Sequence, residues 1–170
     1  MPFFLRAANR RRWDWESSDD YRWLPAGEIP ASPFGDLSPS VESALSVWFV
    51  DDEQLNLRRV VGALAAGRKH LDKFDYLLIE EQAVVDLRLQ VEAKAEPCPD
   101  QDASARWHHN VTRLTESQLC GLVRHIQATG RVARMLKPDV ENILKEAVAE
   151  NRLDPARVDK SLLDALTPQA

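Results

Sequence analysis

Cysteine is nearly absent: there are two in 170 residues, Cys98 and Cys120. Two thiols cannot build a disulfide scaffold, and their separation fits no zinc-ligand spacing. Long apolar runs are also missing. No stretch approaches the ~20 residues that cross a bilayer, so no membrane partner is expected. The opening MPFFLRAANRRRW places its apolar residues before its arginines. That is the reverse of a secretory leader, and a cytoplasmic location is the expectation. Glycine is scarce, and Gly62 and Gly67 sit in a helical pattern, not in a loop that could cradle phosphate. The motifs G-x-S-x-G, H-E-x-x-H and C-x-x-C do not occur. Basic charge is not in excess: 22 Lys and Arg face 27 Asp and Glu, for a net charge of -5. Bulk electrostatics therefore do not recruit nucleic acid, even with Arg10-Arg11-Arg12 beside two tryptophans and RVARMLK at Arg131–Lys137.

Hydrophobic residues make up 44% and charged residues 29% of the chain, the composition of an ordinary globular protein able to bury a core. Arginine well above lysine, with abundant alanine and leucine, points to a GC-rich bacterial coding sequence.

The centre of the pattern is residues 46–81. Leu45 to Val50 is short, β-branched and aromatic, and reads as a strand. Asp51 or Asp52 can cap the next helix, since a carboxylate accepts bonds from the unpaired N–H groups of a helix start. Leu57, Val60, Val61 and Leu64 then share one helical face, and Gly67 ends it. Phe74 to Ile79 reads as a second strand. A helix between two strands makes a βαβ unit with the strands as parallel neighbours. From Leu87 to Ala95, apolar and charged residues alternate, which predicts an edge strand with one wet face.

The N-terminal segment is rich in aromatics and turns. Phe3-Phe4-Leu5 is an apolar plug, and Arg12-Trp13-Asp14-Trp15 alternates like a strand. Trp13, Trp15 and Trp23 are either core residues or a ledge for a partner protein. After EPCPDQDASA the remainder reads as helices. Trp107, Val111 and Leu114 share a face, and Thr115 to Gln118 fits a capping box. Pro138 opens another helix, and Asp154-Pro155 a last one. The expected architecture is α+β: a small mixed β-sheet containing a βαβ unit, followed by a C-terminal helical subdomain. The expected divisions are 1–96, a linker at 97–105, and 106–170 packed on the first as one unit.

VWFVDDEQLNLRRVV resembles the opening strand, acidic pair and first helix of a response-regulator receiver domain, and FDYLLIEE that family's phosphoacceptor strand. Glu80 stands where the family has its aspartate. The family's later Thr/Ser strand and Lys-Pro turn have no counterpart, since Lys94-Ala95-Glu96-Pro97 is not that motif. No activity is carried over.

Two readings of the acidic residues compete. If the strands at 45–50 and 74–79 are neighbours, Asp51, Asp52, Glu80 and Glu81 converge at one sheet edge. Hard oxygen ligands there could hold Mg²⁺ for chemistry on phosphate-containing substrates. Helix capping explains the same residues without a metal. His108 and His109, read as helical, point about 100° apart and share no metal. Cys120 falls in an apolar stripe, where a thiol is usually just packed. The expected function is therefore non-catalytic: an interaction or accessory protein of a bacterial cytoplasmic system. It would need no cofactor, and its partner would be another protein or a second copy. The alternative is the Mg²⁺-dependent enzyme.

Overall fold

The computed structural model describes residues 1–15, 22, 24, 25, 27–39 and 44–166. Among them six strands form one sheet: β1 (Phe3–Ala7), β2 (Leu45–Val50), β3 (Phe74–Glu80), β4 (Gln90–Ala93), β5 (His108–Thr112) and β6 (Val132–Met135). Their order is β4-β5-β2-β1-β3-β6, and each neighbouring pair is antiparallel. The helices are α1 (Phe34–Leu37), α2 (Leu57–Ala66), α3 (Glu81–Asp86), α4 (Gln101–Trp107), α5 (Glu116–Thr129), α6 (Lys137–Ala149) and α7 (Lys160–Leu166). The chain is α+β.

The apolar plug is the interior strand. Phe3 pairs with Val50 on one side and with Glu80 on the other. β2 and β3 therefore run in the same direction on either side of β1, with α2 in the crossover between them. The expected β-α-β stretch is present, but its two strands are not neighbours, and the sheet has no parallel hydrogen-bonded pair. The reason lies in the side chains of β1. Phe3 and Leu5 face one way and Phe4 the other, all buried. A strand apolar on both faces belongs inside a sheet covered on both sides.

One face carries Phe3, Leu5, Trp48, Val50, Phe74, Tyr76 and Leu78, and α2, α4, α6 and α7 cover it. The other carries Phe4, Leu45, Val47, Leu77 and Ile79 beneath Trp13, Trp15, Leu37, Ala83 and α5. Fully burying each large side chain contributes roughly 1.5–3 kcal/mol, which sets the scale of the core.

Local signals explain the helix limits. Thr115 and Gln118 form a reciprocal capping box on α5, and Gly130 ends that helix in the left-handed region at φ 62°. Two strands come from the stretch read as helical. His108–Thr112 is β5, and Val132–Met135 is β6, so one sheet runs through both halves of the chain. The segment 97–105 is not simply a linker. Asp100 accepts a hydrogen bond from the Ala103 N–H and starts α4. Arg12 to Trp15 forms a 3₁₀ turn and its exit, not a strand.

Candidate functional site

The acidic sheet end comes first. β2 and β3 both end there, but β1 begins between them, and two strand spacings amount to about 10 Å. Asp51 is engaged with the backbone. Its Oδ1 accepts the Leu55 N–H at 2.7 Å and its Oδ2 the Asn56 N–H at 3.3 Å. It thus caps the turn before α2; the residue at the helix start itself is Asn56. Asn56 closes the same turn by accepting the Asp51 N–H and donating to the Phe49 carbonyl. Asp52 is exposed and lies 4.0 Å from the Met1 amine. Glu80 takes Arg131 at 3.3 Å and sits 3.7 Å from His125 Nε2. Glu81 stands in the first turn of α3, and its N–H donates to the Pro2 carbonyl.

The structure does not bring these four carboxylates together. Among the described residues no three His, Cys, Asp or Glu side chains form a group that could hold a metal ion. The start of β1 lies between the two acidic pairs, which sit at the ends of strands that are not neighbours.

The tryptophans fall elsewhere. Trp13 and Trp15 are 3% and 6% exposed, with ring centroids 6.2 Å apart. Trp13 Nε1 donates to Asp36 Oδ2 at 2.9 Å. Asp36 also accepts the Asn9 N–H at 3.0 Å and Arg12 Nη1 at 2.7 Å, while Arg6 donates to its carbonyl and to that of Ser46. These two rings are packing side chains, and a partner would not meet them without rearrangement. Trp23 lies outside the described residues.

Four large apolar side chains among the described residues are exposed: Leu55 at 76%, Met1, Val85 and Leu136. Leu136 follows β6 at the opposite end of the sheet, since Met135 pairs with Phe74 at the start of β3. Met1 precedes β1, Leu55 lies in the turn after β2, and Val85 lies on α3 just after β3. Met1, Leu55 and Val85 therefore lie beyond the same ends of three adjacent strands.

A second region carries no contiguous sequence motif. On the face covered by α2, a cavity of about 210 Å³ is lined by Ser46, Trp48, Leu64, Glu96, Cys98 and His108, among others. His108 is 2% exposed and opens β5. Its Nε2 lies 2.7 Å from Ser46 Oγ and 3.6 Å from Glu96 Oε2, its Nδ1 contacts the Lys94 carbonyl, and its ring meets Trp48 edge-on at 5.2 Å. Burial pushes the Cys98 thiol pKa up. On a strand, adjacent histidines point to opposite faces. His109 accordingly packs on Phe4 on the other side, at 5.7 Å. The alternation of a strand is the signal that could have found His108, and the tryptophan before it favours a helical reading.

Asp100 is buried and takes Arg59 through both oxygens, at 2.9 and 3.0 Å. Arg59 also reaches Asp102, and its guanidinium lies over Trp107 at 5.4 Å. This cluster ties the start of α4 to α2. Among the described residues no helix is long and apolar enough to cross a membrane. No family model, curated protein or solved structure matches the chain.

Proposed function

We propose that the chain is an interaction or accessory protein that docks a protein partner, or a second copy of itself, on the sheet end formed by Met1, Leu55 and Val85. One observation carries this reading. Asp51 and Glu80 at that end are tied up in a turn cap and an ion pair, while Met1, Leu55 and Val85 face solvent. Exposed large apolar side chains are what a partner would cover. A bacterial cytoplasmic setting fits the two free cysteines and the arginine-rich composition.

The test is affinity capture from the native host with mass spectrometry, paired with light scattering of the purified chain. Leu55→Asp/Val85→Asp changes only exposed side chains, so its melting temperature should stay close to that of the parent. The expected result is a partner or dimer held by the parent and weakened at least about tenfold in the double variant. A parent chain that stays monomeric and holds nothing the variant loses would remove the reading.

A further inference from the structure

Two nucleophilic side chains face the cavity on the α2 side, Ser46 and Cys98, and their states differ. Cys98 Sγ donates to the Asp100 carbonyl at 2.9 Å, and burial favours the neutral thiol, so its proton is held on sulfur. Ser46 Oγ meets His108 Nε2 at 2.7 Å. The other ring nitrogen, Nδ1, faces the Lys94 carbonyl. A carbonyl oxygen can only accept, so Nδ1 carries the ring proton and Nε2 offers its lone pair to the Ser46 hydroxyl. A hydroxyl donating to a base that a third group holds in one tautomer is the arrangement that activates a serine.

We propose that Ser46 is the nucleophile of a small acyl- or phosphonyl-accepting site, with His108 as its general base. With an ester, Ser46 Oγ bonds to the carbonyl carbon and its proton passes to His108 Nε2. Glu96, 3.6 Å from that nitrogen, stabilises the imidazolium so formed. Collapse of the adduct breaks the bond to the alkoxy group, which takes the proton and leaves as an alcohol. Water then repeats the sequence at the acyl-serine, releasing the carboxylic acid and restoring Ser46.

The cavity also limits the ligand. At about 210 Å³ it lies below the ~300–1,000 Å³ of drug-sized sites. Trp48, Ala63, Leu64, Pro97 and Pro99 make its walls largely apolar. Short-chain esters fit that description.

The proposal does not rest on docking at the sheet end, and either can fail alone. The test treats the full chain at neutral pH with a small alkyl fluorophosphonate, which forms a Ser46 Oγ–P bond, expels fluoride and passes the proton to His108. Intact mass should rise by one adduct that peptide mapping places on Ser46. Ser46→Ala, still melting cooperatively, should take up none. His108→Gln should slow labelling about a hundredfold. Should that variant not fold, Glu96→Gln leaves the Ser46–His108 pair in place and should slow labelling several-fold. A folded parent that takes no adduct, or an adduct that persists in Ser46→Ala, overturns the proposal.

Discussion

The two faces of the sheet are closed by different means. On one, α2 and α6 lie against the strands through Val60, Val61, Val140 and Leu144, and the principal buried carboxylate, Asp100, sits at the start of α4. On the other, the side chain of Asp36 gathers Asn9, Arg12 and Trp13 of the N-terminal segment. Spread-out apolar contact loses a little with each substitution. A carboxylate that satisfies several donors at once loses all of them together.

The largest expected effect breaks that second face. Asp36→Ala leaves the buried Trp13 N–H without its acceptor and removes the hydrogen bonds from Asn9 and the partly exposed Arg12. It should cost roughly 2–4 kcal/mol, the scale of an unsatisfied buried donor together with a lost charge-assisted hydrogen bond. Chemical denaturation measures it, and a loss below about 1 kcal/mol would mean that the N-terminal segment is not pinned there.

A second carboxylate on the same face gives a smaller effect with a pH signature. Asp75 takes Arg134 Nη2 at 3.0 Å, and that hydrogen bond holds its carboxyl below the ordinary range. A carboxylate depressed in the folded state stabilises fully above its unfolded pKa of about 3.9, and loses that contribution as pH falls through the folded value. Asp75→Asn should cost about 1.5–3 kcal/mol near neutrality, the range for a hydrogen bond to a charged group. Its stability curve should converge on that of the parent in acid. Parallel curves down to low pH would remove the linkage.

The smallest effects come from two glycines, one on each face. A Cβ at Gly62 would meet Ile143 Cγ2 at 2.8 Å, a branched side chain with nowhere to move in the α2–α6 contact. Overpacking of about 1–3 kcal/mol should outweigh the ~1 kcal/mol of helix propensity gained, so Gly62→Ala should destabilise by about 1 kcal/mol. At Gly121 the obstacle is Leu87 Cδ2 at 2.6 Å, the far end of a half-exposed side chain that can turn away. Gly121→Ala should be close to neutral. Equal effects on melting temperature would show that the two faces yield alike.

Legibility in the sequence divides along similar lines. Where local chemistry decides, the structure could be read in advance: the α5 capping box, Gly130, the Pro138 start of α6, and the strands at Leu45–Val50 and Phe74–Glu80. Pairing is a nonlocal property and could not. No periodicity says that Phe3–Ala7 slides between β2 and β3, and that insertion is why the four acidic residues never meet. β5 and β6 are five and four residues long, too short for alternation to outweigh the helical neighbours on either side. The cavity shares that fate. Ser46, Glu96 and His108 lie far apart along the chain, and only the β2–β5 register brings Ser46 and His108 to bonding distance.

The position of β1 also has a consequence in time. Synthesis makes Phe3–Ala7 before its partners at 45–50 and 74–80, which emerge only after long intervening stretches. Closing such loops costs entropy before any contact repays it, which makes nonlocal sheets slow to form and open to aggregation meanwhile. An apolar strand made ahead of its partners and enclosed late spends that interval uncovered on the growing chain.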